Sequence, residues 1–465
     1  MPAQFQLYFF STIASLVNLF LPIILVRKYS PDEIGLFKIF FLYLMNMPIL
    51  TLASGLTNGL PLWAQKKENG HVFLQQALSL YLIFIFSTLF VGFILYYPLH
   101  FLGYTFNQYF YFILCSCLFL LSYYFDELFI AKGMVSLSGK LIGTFEIIKA
   151  SLFLISAFQG MNIEGLFLIY AILLFVKCAI CFYLLKDTQR FNFIWIESVK
   201  KDIVNFSFPL SMSNLLTFLL DKSDQLILTF FASKAMFGFY SIGCLLIPPL
   251  LILEQSVTRV TLPQLSEKYI GQKISELTAV YRKAVKDIAW LNIPGAIGLM
   301  IFSRPIITLL FGPNYEMAVI FTRLFSIFYL IIIFPPDLLF RSMGDSKVIL
   351  KLNALFAPLS LGLCLLLSFH YQAYGTLIAY LLMKPIRTYV FLSLAKSKLE
   401  ISFGDLIPIK DLIKYSSISV ALGVLSILTY SVFSNERTWL FMMGGFFFVT
   451  YLIFSWSDVK HFIRK

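Results

Sequence analysis

Apolar stretches of about 20 residues recur about fourteen times along this chain, and that spacing constrains the fold more than any motif does. A hydrocarbon core of about 30 Å takes about 20 helical residues, and within it a helix satisfies all of its own backbone N–H and C=O groups. The spacing predicts an all-α polytopic membrane protein. Its first-half spans are 4–26, 36–60, 73–97, 107–131, 140–158 and 164–186. Spans 205–231, 236–258, 287–311, 318–341, 348–369, 372–394, 414–434 and 438–456 follow. With 59% hydrophobic and 13% charged residues, the 465-residue chain has too little polar surface for a soluble protein, which argues against a soluble catalytic domain.

The formal net charge of +12, from 36 Lys and Arg against 24 Asp and Glu, raises nucleic acid or an anionic surface as a partner. The distribution of the cations points elsewhere. With the amino terminus placed in the cytoplasm, about 24 of them fall in loops on that side or in the tail, among them Lys66, Lys67, Lys200, Lys201, Arg282, Lys283 and Lys465. About four, Arg27, Lys28, Lys234 and Arg437, fall outside. The excess charge is therefore topological: both termini are expected in the cytoplasm and no nucleic acid is expected as a partner. The first apolar segment lacks a charged n-region and an A-x-A cleavage site, so it reads as a retained span rather than a signal peptide.

Chemistry-bearing motifs are sparse. Cys115, Cys117, Cys178, Cys181, Cys244 and Cys364 all fall within spans and read as core packing, the C-x-x-C of Cys178 and Cys181 included. His71, His100, His370 and His461 lack metal-ligand spacing. The segment GMVSLSGKL misses the P-loop spacing by one residue and carries Leu141 where Ser or Thr is needed. Neither a metal nor another cofactor is expected. A membrane glycosyltransferase or ligase would need a substantial aqueous loop for its catalytic side chains, and the external loops are mostly shorter than about a dozen residues, so the chain does not read as an enzyme.

The two halves resemble each other. LVRKYSPDEIGLFKIFF (25–41) aligns with TFFASKAMFGFYSIGCL (229–245), pairing Gly35 with Gly238 at an offset of 203. LFIAKGMVSLSGK aligns with LLFRSMGDSKVIL, pairing Gly133 with Gly344 at 211, and GLFLIY (165–170) with GTLIAY (375–380) at 210, an offset that also carries Lys177 onto Arg387. An even number of spans per repeat gives both halves the same orientation. The organisation expected is an N-terminal six-helix lobe (1–186), an interfacial linker (187–202), a C-terminal six-helix lobe (203–395) and a linker with an appended helical hairpin (396–465). Parallel repeats of this kind commonly flank a substrate path that opens to each side in turn, which points to transport. The stretch 264–286 is expected to form an amphipathic cytoplasmic helix, and Phe191, Phe193 and Trp195 suit the headgroup level.

The segment DQLILTFFASKAMFGFY, with Asp224 and the pair Gly238 and Tyr240, resembles the polysaccharide-export branch of the multidrug/oligosaccharidyl-lipid/polysaccharide exporter superfamily. LPQLSE (262–267) and LLFGPNYEMAV (309–319) extend the resemblance, which covers roughly residues 5–395. Fourteen spans rather than twelve depart from that branch and resemble its peptidoglycan-precursor and sporulation-type relatives. The resemblance implies a flippase of the cytoplasmic, or inner, membrane that moves a polyprenyl-diphosphate-linked oligosaccharide, such as an O-antigen precursor of lipopolysaccharide, by alternating access. Membrane lipids and polysaccharide polymerase or assembly proteins would be its partners. A drug or organic-cation antiporter of the same superfamily is the alternative and would need an acidic cavity.

A charge at the bilayer centre costs about 2.5 to 3.5 kcal/mol, so charges within spans should face a cavity, a partner or the headgroups. Lys222, Arg387, Lys384, Lys149, Lys177 and Arg323 are the candidates for binding a diphosphate, Lys177 alternatively snorkelling to the interface. Lys384 and Arg387, at i, i+3, should repel unless an anion lies between them. Asp221, Asp224, Glu254 and Glu146 are the candidates for coupling and gating, with Glu146 spaced to neutralise Lys149. Asp126, Glu127, Glu254 and Asp337 lie near inner span ends, where solvation or pairing with Lys132, Arg259 and Arg341 is expected. Pro22, Pro209, Pro248 and Pro249 are the candidate hinges, with Pro48 a further interruption in the second span.

Overall fold

The computed structural model describes residues 20–65, 70–101, 104–186, 191–433 and 435–456, the side chains of 91–101 excepted. The first predicted span before residue 20, Lys66, Lys67, His461, Lys465, both chain ends and residues 187–190 of the linker lie outside the described residues. Regular structure among the described residues is entirely helical. Nine of these helices are long and apolar enough to cross a membrane, or ten if one bent pair counts as a single span. The protein is a multi-pass integral membrane protein. Two compact units, Met1–Leu219 and Leu220–Lys465, divide within one long helix.

In the first unit the predicted span 36–60 is three helices, α1 (Pro31–Met45), α2 (Met47–Leu50) and α3 (Ser54–Ala64). Pro48, which lacks an N–H, sits in the first turn of α2, and Leu52 at φ 60 turns the chain into α3. Helices α4 (Gly70–Phe101), α5 (Phe106–Ala131), α6 (Val135–Phe158) and α7 (Ile163–Leu185) follow, then α8 (Glu197–Phe231), which contains the division between the units. Rings fill the interior: Phe40 stacks on Phe167 with centroids 3.9 Å apart, and Phe41 meets Tyr170 edge-on at 5.1 Å. The linker is pinned rather than free, because Ile194 N donates to Ser79 Oγ at 3.0 Å and Ile196 N to Gln76 Oε1 at 2.7 Å. Phe191 packs on Phe125 and Phe182, while Phe193 and Trp195 are exposed.

The second unit opens on α9 (Lys234–Gly243) and α10 (Pro248–Ile270), bent by 58° at the break that Pro248 and Pro249 end. Helix α11 (Ile274–Phe311) follows a tight turn in which Gln272 takes φ 55 and Lys273 N donates to Lys268 O at 2.9 Å. The single amphipathic helix expected over 264–286 is thus two helix ends and a turn: α10 ends at Ile270 and α11 starts at Ile274, with the positive φ of Gln272 between them. Next come α12 (Ala318–Ile331) and α13 (Leu338–Ser342), separated at Pro335 and Pro336, so the predicted span 318–341 is also broken.

Helix α14 (Ser346–Leu399) is 54 residues long but holds the non-helical Gln372, at φ 49 and ψ −128. Twelve residues of straight helix rise about 18 Å. Cys364 Sγ nevertheless lies 3.8 Å from Thr376 O, and Lys398 near one end pairs at 2.5 Å with Asp345, which caps the other. α14 is therefore a closed hairpin of the two predicted spans 348–369 and 372–394. A Cβ on Gly375 would lie 2.0 Å from the Leu367 carbonyl oxygen. Gly375→Ala is expected to destabilise the protein by about 1–3 kcal/mol or more, because a backbone atom cannot step aside as a side chain can. A lowered thermal midpoint checks this.

Beyond the short α15 (Phe403–Leu406), α16 (Ile409–Leu428) and α17 (Glu436–Phe454) form the appended hairpin, which docks on α11. Tyr451 Oη donates to Trp290 O at 2.6 Å, and Trp290 Nε1 donates to Ser455 Oγ at 3.1 Å. Positions paired by the internal repeat carry the same caps in both units. Ser30 and Ser233 each accept a hydrogen bond from the backbone N–H three residues on, at the start of α1 and α9. Gly133 and Gly344, at φ 77 and 71, each end a helix in the left-handed region that glycine adopts without strain.

Candidate functional site

Each unit places ionisable side chains among apolar helices. In the first, α5 supplies Asp126, α6 Glu146 and Lys149, and α7 Lys177 and Tyr170. Lys177 Nζ donates to Asp126 Oδ2 at 2.7 Å and lies 4.9 Å from the Phe145 ring centroid. Lys177 therefore does not snorkel, and Asp126 pairs with it rather than with Lys132: both side chains are nearly enclosed, and a buried charge needs a charged partner. Lys149, itself buried, pairs with Glu146 one turn earlier, as the spacing predicts, and lies 6.0 Å from the Tyr170 ring centroid.

In the second unit, α8 presents Asp221, Lys222 and Asp224 and α14 presents Lys384 and Arg387. Lys384 Nζ meets Asp221 Oδ1 at 2.7 Å and lies 5.0 Å from the Tyr380 ring centroid. Arg387 Nη2 donates to Asn353 Oδ1 at 3.0 Å, its guanidinium stands 4.9 Å from the Phe391 ring centroid, and its buried Nε has no protein partner. The two cations thus coexist without a shared anion, because each has a separate protein partner. Asp224 is buried and accepts the Tyr240 hydroxyl, while the half-buried Lys222 acts on it electrostatically. A cavity of about 10 Å³, room for about one water, lies between Ser360, Tyr380, Lys384 and Arg387.

The remaining candidates are dispersed. Arg323 Nε donates to Ser303 Oγ at 2.9 Å, beside Arg304, which bridges Glu316 and Glu436. Glu254 on α10 feels both Asp337 and Arg341, which pair with each other at 3.8 Å. Pro22 lies within the short stretch of helix over residues 20–25 that precedes α1, where its carbonyl accepts Val26 N, and Pro209 stays within the unbroken α8. Sequence reasoning missed Tyr240, Asn353 and Tyr380 as partners of charge, although the repeat held a signal. The offset of 210 that joins Lys177 to Arg387 also joins Tyr170 to Tyr380, and 211 joins Asp126 to Asp337.

A separate groove of about 480 Å³ runs through the second unit between α10, α11 and α17. Its walls are apolar, including Leu250, Phe302 and Phe448, and Gly295, Gly298, Gly444 and Gly445 open its floor. It suits a long hydrocarbon rather than a polar ligand.

The model of a family described as polysaccharide biosynthesis protein matches residues 24–320. The chain belongs to this family. That membership agrees with the resemblance to the polysaccharide-export branch carried by the Asp224 to Tyr240 segment. None of the curated proteins searched matches the sequence. Among solved structures, a lipid II flippase MurJ in an inward closed conformation is 16% identical with a TM-score of 0.68, over 97% of this chain and 100% of that one. An inward-facing multidrug resistance MATE family transporter of the MOP superfamily is 17% identical with a TM-score of 0.64, over 83% and 94%. A MOP superfamily transporter from Pyrococcus furiosus, described as having a binding pocket of reverse polarity, is 16% identical with a TM-score of 0.56, over 85% and 94%. The family member described here therefore has the fold of these flippases and transporters.

Proposed function

We propose that this protein is a flippase carrying a polyprenyl-diphosphate-linked oligosaccharide from the cytoplasmic to the outer leaflet of the cytoplasmic membrane, for cell-surface polysaccharide such as O-antigen. The observation that carries this reading is that one unit holds both a cluster of partly buried cations, Lys222, Lys384 and Arg387, and a wholly apolar groove. An amphiphile with an anionic head and a long hydrocarbon tail needs both. Moving a diphosphate through hydrocarbon without such cations is prohibitive, because nothing would replace its hydration. Membership in a polysaccharide biosynthesis family supports the same reading.

In this mechanism Lys384 and Arg387 exchange Asp221 and Asn353 for phosphate oxygens, with Lys222, Lys149, Lys177 and Arg323 as further contacts along the path. Asp221, Asp224, Glu254 and Glu146 are the groups through which a proton or cation gradient would act. Pro22, Pro209, Pro248 and Pro249 are the flexing points as the lobes alternate. A drug antiporter of the same fold would need unpaired carboxylates, whereas Asp221, Asp126 and Glu146 are each matched by a lysine. Deletion of the protein is expected to accumulate lipid-linked sugar on the cytoplasmic leaflet. Gly445→Trp, which fills the groove where an added Cβ meets no neighbour, is expected to restore flipping poorly. An unchanged leaflet distribution with altered drug efflux would replace this reading with the antiporter.

A further inference from the structure

The second unit has another concave apolar surface, a groove of about 390 Å³ lined by Ile331, Phe334, Pro385, Tyr389, Phe403 and Ile407. Its polar lining is slight, the Thr388 hydroxyl and the exposed Tyr389 ring edge. One wall is the short α15, held in place by a capping box in which Asp405 accepts both the N–H and the hydroxyl of Ser402. Tyr389 stacks on Phe403 across the groove, with centroids 5.8 Å apart.

We propose that this groove holds an acyl chain of an anionic phospholipid, such as phosphatidylglycerol, whose phosphate rests on Lys396. The Lys396 ammonium stands 4.9 Å from the centroid of the Phe403 ring, so a cation marks the end of the apolar surface. Exposed Lys410 lies three residues beyond Ile407 and adds to it. Of the nearby carboxylates, Asp345 pairs with Lys398 at 2.5 Å and Asp411 with Lys286 at 2.9 Å, while Asp405 accepts from Ser402. No carboxylate among the described residues pairs with Lys396 or Lys410. A hydrocarbon slot ending in two lysines without an ion-pair partner complements a lipid chain ending in a phosphate, and basic residues at a membrane surface select anionic over zwitterionic headgroups. The site uses none of the residues assigned to substrate and stands independently of the flippase reading.

The test uses the full-length protein in a non-ionic detergent, mixed with phosphatidylglycerol or with phosphatidylcholine of the same chains, with thermal midpoint and native mass as readouts. Phosphatidylglycerol is expected to raise the midpoint more than phosphatidylcholine and to remain bound in native mass spectra. Lys396→Ala should erase the difference between the two lipids, and Ile407→Trp, which fills the groove, should erase retention of both. Equal shifts with the two lipids, or a preference for phosphatidylglycerol that survives Lys396→Ala, overturns the proposal. A dimer that Ile407→Trp dissociates would assign the groove to a second copy of the chain instead.

Discussion

Lys177→Met is expected to cost the protein about 3–5 kcal/mol of stability, because it leaves the enclosed Asp126 carboxylate without its partner. The geometry makes the loss severe: Asp126 Oδ2 takes its hydrogen bond from Lys177, and Oδ1 is already buried without a protein donor. Removing both charges should be far milder. Asp126→Leu with Lys177→Met exchanges an ion pair for apolar contact, which is often neutral or stabilising in such a setting. Thermal midpoints of the two single variants and the double variant in detergent check this through a double-mutant cycle. A double variant as unstable as Lys177→Met would mean that the pair contributes through packing rather than charge.

The second large effect is expected on translocation. Lys384→Ala combined with Arg387→Ala should lower flipping of the lipid-linked substrate by about 100-fold or more, the scale of losing charged hydrogen bonds to a desolvated anion. The fold should survive better than in Lys177→Met, because Asp221, the carboxylate left behind, is exposed, and Asn353 is neutral. Lys384→Arg should retain much of the activity if the requirement is for charge. Flipping can be read from the leaflet distribution of labelled lipid-linked sugar in proteoliposomes. Wild-type rates in the double variant would remove both residues from the mechanism.

The membrane class and most helix positions were legible in the sequence, because hydropathy over about 20 residues is a local quantity. The Gly133 and Gly344 turns were legible too, since a left-handed position selects its residue. What the sequence hid was of two kinds. Breaks at Leu52, Gln272 and Gln372 place ordinary residues at positive φ, where no glycine announces the turn; at the second, Gly271 stands one position early. Ionic pairing across helices was the other. Glu146 and Lys149 were readable as i, i+3 neighbours, whereas Asp126 and Lys177 lie 51 positions apart and meet only once α5 and α7 pack. Lys384 and Arg387 looked mutually repulsive for the same reason, their partners lying on α8 and earlier on α14.

The reversal at Gln372 bears on how the protein is made. Two crossings joined by a turn whose exposed tip spans only residues 369–372 have no hydrophilic segment between them to be held on the far side of the bilayer during synthesis. Neither arm is therefore complete alone, and Lys398, the clasp for Asp345, is made only after both arms. The pair is expected to enter the bilayer as one unit. A reporter fused after about residue 371 would follow one arm without its clasp, whereas a fusion after residue 400 would follow the finished hairpin.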